Sequence, residues 1–475
     1  MTLKRRIIDA AVALGGEDEQ FTGHLRRIAR VGKHIAPSWQ HRKQLAMLEE
    51  AVETGHPVVE LIRRLIRDCH PNYRAAIADL FVTHSWEGSR QRQRFAAEHG
   101  LAPPSFIVIS PLAGCNLSCS GCYAGAYGDT EPILSSEDIA RLIDETRGWG
   151  SRFVTISGGE PALIWERIPG EDRGLRDVFA AYPDTMFLMY TNGTVIDDEM
   201  AAEMAELGNV SPAISLEGYR EETDARRGEG VYDRILDVMA TLRENRVLFG
   251  ASVTYTSRNW ETVADDDFIE MLIDLGCMYA WYFMYVPVGR DPDLSLVVTP
   301  GQRDTIARKT WDWMIGRPIF AADFWNSGAL TKGCMAAGAP SGYLHVTHRG
   351  DICPCVFMMY SKHNIHEMHS ETPLLDALHS DFFEAIREGQ RATQENPLAP
   401  CQIVDHPETL KRAVEGCGAH STQEGQRILD GLHEDVAARA REWEGLARER
   451  WTCSGTFANF ARAYADDEQD WLQPG

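Results

Sequence analysis

The chain has no long apolar run: its longest hydrophobic stretches fall far short of the roughly 20 residues that cross a bilayer. Residues 1–30 likewise lack the compact apolar block of a secretory leader. Both absences lead to the expectation of a soluble, cytoplasmic protein. Positive charge is in deficit, with 47 Lys plus Arg against 70 Asp plus Glu and a net charge of −23. Nucleic-acid surfaces are built from Lys and Arg, and an acidic surface repels phosphate, so no nucleic-acid partner is expected. Cysteine, by contrast, is plentiful, with 11 residues. Disulfides rarely persist in a reducing compartment, so these thiols read as metal ligands or small buried hydrophobes.

At 475 residues the chain can bury a large core and divide into two or three domains. Its charge is uneven: residues 1–100 hold 16 basic against 12 acidic side chains, whereas the remainder is strongly acidic. That asymmetry marks an N-terminal unit. The unit reads as helical over 23–35, 40–54, 58–69 and 72–98, punctuated by Gly55, Pro57 and Pro71. Val58, Val59, Leu61, Ile62, Leu65 and Ile66 alternate with Arg63, Arg64 and Arg67 in a basic amphipathic helix. A helix facing the core with a solvated basic side is one reading. The sharper one is a surface that meets an anionic substrate or makes peripheral membrane contact.

The apolar stretch Phe106–Ser110 runs into Cys115, Cys119 and Cys122, a C-x3-C-x2-C array followed by Tyr123. Structural zinc and ferredoxin-type clusters want four closed ligands. Three thiols this close can hold a cluster with one metal position open; a zinc knuckle with a distant fourth ligand is the alternative. The array resembles the signature of the radical S-adenosylmethionine (radical SAM) enzymes. In that family the open iron of a [4Fe-4S] cluster is chelated by SAM. Gly158-Gly159-Glu160-Pro161 closes the next apolar run, 36 residues after the third cysteine. Alone it is a turn with a proline that starts a helix. Within the resemblance, Glu160 accepts from the SAM ammonium while the glycines allow close backbone approach.

Further apolar runs, Met186–Tyr190, Ser211–Ser215, Phe249–Tyr255 and Trp281–Pro287, complete six strands. Asn192 follows the third. Ser215-Leu216-Glu217-Gly218, with Asp224, Arg226, Arg227 and Gly228 after it, is similar to a block found in family members that modify peptides and related substrates. The resemblance implies that Ser215 touches the SAM ribose or carboxylate, that Arg227 pairs that carboxylate through its fork of donors, and that Val288 lies against the adenine. A surface ion pair of Arg227 with Glu221, Glu222 or Asp224 is the plainer alternative. Tyr123 and Glu217 complete the expected cofactor contacts.

Beyond a helix over 300–317, Cys334, Gly350 and Cys355 are spaced by fifteen and then four intervening residues. This fits the opening half of the twitch and SPASM extensions of the family, in which a hairpin supplies thiolates to an auxiliary [4Fe-4S] cluster. The hairpin is expected over Tyr343–Ile352 with its turn at Gly350. Cys401 is the expected third auxiliary ligand, and Cys417 or Cys353 the fourth, Cys417 being preferred because Cys353 shares a tight C-x-C with Cys355. A four-cysteine zinc site has the same ligand arithmetic. An amphipathic helix is expected from Thr372-Pro373 through Arg387. Residues 425–475 read as an acidic amphipathic helix with Trp443, Trp451 and Trp471.

The resemblance implies an α/β fold, a partial (β/α)6 barrel. Its units are a helical N-terminal domain (1–100), the barrel (101–318), a twitch/SPASM-like iron-sulfur extension (319–420) and a C-terminal helical segment (421–475). The resemblance implies an external one-electron donor of flavodoxin or ferredoxin type and reductive cleavage of SAM to a 5'-deoxyadenosyl radical. That radical takes hydrogen from an unactivated C–H bond. The basic N-terminal helices point to a lipid-like or anionic small-molecule substrate, and the Ser215–Gly228 block to a ribosomally made peptide. A non-catalytic iron-sulfur electron carrier is the reading of another class. Tyr255, Glu217, Tyr285 and His345 are the side chains expected to face the substrate, with none assigned as acid or base.

Overall fold

The computed structural model describes residues 20–452 except 37–38, 81–83, 85–86, 126–132, 332, 339–341, 394, 424–428 and 430–431. Cys453, Trp471 and the rest of the expected tail after residue 452 lie outside the described residues.

Six parallel strands follow one another in sheet order: β1 (Phe106–Ile109), β2 (Phe153–Ile156), β3 (Met186–Thr191), β4 (Val210–Leu216), β5 (Gly250–Tyr255) and β6 (Tyr279–Met284). Each packs an apolar face against the helices, whereas the inner face carries small polar residues such as Thr155, Ser215, Ser252 and Thr254 beside its aromatics. The two-residue period divides their side chains. Phe106 and Val108, Phe153 and Thr155, and Ser252 and Thr254 line the inside of the barrel. Ile107, Val154 and Ala251 belong to the packed core. Connecting helices begin where the sequence supplies caps. Ser135 and Asp138 form a capping box at Ser136–Gly148, and Thr299 and Gln302 form another at Pro300–Gly316.

The sheet does not stop at the sixth strand. β7 (Phe320–Asp323) pairs with β6, and β8 (Tyr343–Val346) pairs in parallel with β1 in the register Phe106↔Tyr343 and Val108↔His345. β8 turns at Gly350, whose φ of 85° suits glycine, into antiparallel β9 (Asp351–Cys353). Then β10 (Tyr360–Ser361) and β11 (His363–Asn364) follow, with β11 on β9 and β10 paired to β12 (His420–Ser421). The ten-stranded order β11-β9-β8-β1-β2-β3-β4-β5-β6-β7 makes the expected hairpin a continuation of the barrel sheet. The single helix expected over 372–387 is two, Pro373–Leu378 and Asp381–Ala392, because the Ser380 hydroxyl caps a new start by accepting from the Phe383 N–H at 3.3 Å.

Of the N-terminal helices, Val58–Asp68, Pro71–Leu80 and Gly88–His99 lie against the barrel, while Phe21–Ile35 and Trp39–Thr54 pack on each other and on Val58–Asp68 in a small core of their own. Arg64 shows why the basic helix faces inward. Only 6% exposed, it donates to the backbone oxygens of Pro318 at 2.6 Å, Ile273 at 2.9 Å and Cys277 at 3.1 Å. Arg63 lies over the ring of Phe21 at 4.6 Å. The Tyr73 hydroxyl donates to Val210 O at the start of β4 at 2.6 Å and lies 3.1 Å from Met204 O. Among the described residues, no helix is long and apolar enough to cross a membrane.

Candidate functional site

The strands surround a cavity of about 330 Å³ that runs from Phe106, Phe153 and Tyr343 at their starts to their C-terminal ends, where α/β barrels place their sites. Cys115, Cys119 and Cys122 line one side of it with Tyr123, Gly158, Gly159, Glu160, Asn192, Ser215 and Arg227. Pro161, Glu217 and Val288 are not in its wall. Pro161 starts a short 3-10 turn behind Glu160, Val288 is fully buried, and Glu217 stands behind Arg227.

The cysteine loop is held by close backbone packing. Gly159 N–H donates to Leu112 O at 2.9 Å and Glu160 N–H to Gly114 O at 2.8 Å. A Cβ on Gly159 would run into the carbonyl groups of Ala113 and Gly114. On the opposite side Gly289, at φ 82°, rests against the carbonyls of Cys122 and Tyr123. Amide groups already face the Cys115 sulfur: Leu117 N–H at 3.4 Å and Asn192 Nδ2 at 3.7 Å. Such donors stabilise a thiolate.

Glu160 is 1% exposed. Its Oε1 accepts from Ala162 N–H at 2.9 Å and Thr191 Oγ1 at 2.6 Å, and its Oε2 from Asn192 N–H at 2.6 Å. Burial pushes its carboxyl above the usual carboxylate range against these three donors. Oε2 keeps room for a further donor, and an ammonium in the cavity suits it. Arg227 gives Nε and Nη2 to the Glu217 carboxylate and turns Nη1 toward Cys119 Sγ at 3.9 Å. Arg226 donates to the same carboxylate at 2.5 Å. Burial alone would lower the Arg227 guanidinium, but Glu217 raises it, so its partner is buried Glu217 rather than a surface acid.

A second group of thiols lies behind another wall of the cavity. Cys334, Cys355 and Cys401 come within electrostatic reach of one another, each pushed upward chiefly by burial. The Cys401 N–H donates to Asp405 Oδ2 at 3.0 Å. Asp405 in turn forms a buried pair with Arg303 at 2.5 Å, and the guanidinium lies over Trp443 at 4.3 Å. Cys417 stands apart. It ends the helix Pro407–Cys417, where its charged neighbours are Asp381, Lys362 and Glu388. The Cys353 thiol faces Thr422 Oγ1 at 3.8 Å. Among the described residues no three His, Cys, Asp or Glu side chains converge on a single ion.

Of the four side chains expected to face substrate, only Tyr285 lines the cavity. Tyr255 points to the outer face and donates to Asp323 at 2.9 Å. His345 Nε2 lies 2.8 Å from Ser110 Oγ. Glu217 is engaged by the two arginines. Asp323, unanticipated, borders the cavity at the end of β7 with its carboxylate turned to Tyr255, Trp325 and Asn326. Much of the remaining wall is aromatic, with Phe106, Phe153, Trp281, Phe283, Phe324 and Tyr343.

Residues 109–272 match the Radical SAM superfamily. That stretch is a radical SAM domain, the domain of iron-sulfur enzymes that use SAM and a [4Fe-4S] cluster. It is 27% identical over 296 residues to an AdoMet-dependent heme synthase of Methanosarcina barkeri, covering 56% of this chain and 80% of that one. It is 26% identical over 314 residues to the mycofactocin maturase MftC of Mycolicibacterium smegmatis, covering 62% and 75%. Among solved structures, SuiB of Streptococcus suis bound to the precursor peptide SuiA shares the fold with a TM-score of 0.50 at 17% identity, covering 76% and 82%.

Proposed function

We propose that this radical SAM enzyme is a maturase that modifies a ribosomally made peptide. Two lines of support favour a peptide over a lipid-like or anionic small molecule. The basic helix that suggested an anionic substrate uses Arg64 as a buried clasp onto the barrel rather than as a free surface. A related chain is named as a maturase, and a protein of the same fold has been seen with its precursor peptide. The observation that carries the reading is the aromatic cavity, with three thiols in one wall and three behind another. An aromatic wall suits a peptide side chain inserted toward the cysteine loop.

Within this reading Cys115, Cys119 and Cys122 hold the first cluster, Glu160 orients the SAM ammonium and Arg227 Nη1 serves its carboxylate. Ser215 and Asn192 complete that pocket. Cys334, Cys355 and Cys401 hold the auxiliary cluster, and an external electron donor of flavodoxin or ferredoxin type reduces the first. When bound, the first cluster and SAM supply hydrogen abstraction from an unactivated C–H bond. The chain itself positions the reacting groups and keeps water and stray hydrogen donors away.

The test is anaerobic reconstitution with iron and sulfide, then dithionite and SAM, with a short peptide encoded beside the gene. Peptide-dependent 5'-deoxyadenosine and a change in peptide mass are expected. Stimulation by an iron-coproporphyrin instead of the peptide would move the enzyme to the heme-synthase side of its relatives. Cys401→Ala should lose the iron of one cluster and Cys417→Ala should retain it.

A further inference from the structure

Tyr343 belongs to two places at once. Its ring forms part of the cavity wall, stacked on Phe106 of β1 with ring centres 5.1 Å and planes 14° apart. Its hydroxyl lies 2.9 Å from Cys355 Sγ. The same oxygen accepts from the Val356 N–H at 3.4 Å, which leaves the hydroxyl proton for the sulfur. A thiolate has no proton to give, so once Cys355 is a ligand the tyrosine must be the donor. Phe324 meets the ring edge-on at 6.2 Å, and parallel pairing of β8 with β1 fixes its backbone. Little freedom remains for the hydroxyl to turn away.

A hydrogen bond to a ligating sulfur stabilises the more negative, reduced state of a cluster, and such bonds are among the features that set its potential. We propose that Tyr343 is a positioning residue that sets the reduction potential of the auxiliary cluster from the wall of the substrate cavity. This rests on the auxiliary cluster lying at Cys334, Cys355 and Cys401, as proposed above. The ring a substrate touches thereby carries the group that tunes the neighbouring redox centre.

The measurement is a redox titration of the reconstituted full chain followed by electron paramagnetic resonance, with iron content in parallel. Tyr343→Phe keeps the ring and removes the donor. At a poise where half of the wild-type auxiliary cluster is reduced, the ratio of reduced to oxidised cluster should fall about tenfold, about 59 mV for one electron. Iron content and the SAM-responsive signal should not change. Phe106→Leu, which removes the stacked ring but leaves the hydroxyl, should keep the wild-type potential. An unmoved potential in a fully loaded Tyr343→Phe chain overturns the proposal, as does loss of one cluster's iron from that variant, which would make Tyr343 a purely structural support. Wild-type chain that takes up iron for only one cluster overturns the placement of the auxiliary cluster itself.

Discussion

Glu217→Gln removes one negative charge from a site where two arginines converge. The Glu217 side chain is 1% exposed, that of Arg227 9% and that of Arg226 16%. Breaking a buried pair by deleting one partner typically costs about 3–5 kcal/mol, because the surviving charge is left without compensation. Arg226 can turn toward water, but Arg227, held between Glu217 and Cys119, has no such route. The expected cost is therefore about 3 kcal/mol, toward the lower end of that range. Urea denaturation of the full chain at neutral pH measures it. The acid dependence supplies a second reading. Burial pushes the Glu217 carboxyl up, but Arg227 and Arg226 hold it below its ordinary value. Its stabilising share is thus complete above the unfolded carboxylate range and fades as pH drops through the lower folded value. The glutamine variant should lack that part of the acid slope. A loss of stability under about 1 kcal/mol would mean that both arginines find other partners and would refute the reasoning.

Gly159→Ala should disrupt the cysteine loop, since the new methyl meets backbone carbonyls of Ala113 and Gly114 that cannot move aside cheaply; iron uptake should fall by at least half after reconstitution, and uptake at the wild-type level would contradict the close packing. His345 is buried and held down to about 3, by burial first and by nearby His348 second. Below the unfolded histidine value of about 6.5 the unfolded chain takes a proton that the folded chain refuses, so stability is lost as pH falls between there and about 3. His345→Gln should flatten that stretch of the acid unfolding curve, and an unchanged slope would place the charge change elsewhere.

The barrel strands and the first cysteine array are legible because their signals are local: apolar runs of strand length, each ending in small or polar residues at the rim. Thr372-Pro373 read as the start of one long helix because periodicity alone does not register the Ser380 cap inside it. The pairing of Tyr343 with Phe106 joins residues more than two hundred positions apart, which no period in either segment announces. Tyr255 was expected to face substrate because its strand does. Two-residue alternation places Ser252 and Thr254 inside and therefore turns Tyr255 outward. Asp323 could have been found only by recognising Phe320–Asp323 as a seventh strand, and four residues with two alanines give a weak strand signal. Cys417 has the right residue type and order, and its helix sets it beside Asp381, Lys362 and Glu388, neighbours that no sequence spacing announces.

The seam between β1 and β8 has an engineering consequence. The hairpin that brings Cys355 is stitched edge to edge onto the strand that launches the first cysteine loop, so it is no pendant module on a tether. Transplanting this extension onto another barrel would require a recipient whose first strand offers an unclaimed edge in matching register. A chimera joined merely at a convenient loop would leave two raw sheet margins facing water, and aggregation through those margins is its foreseeable fate.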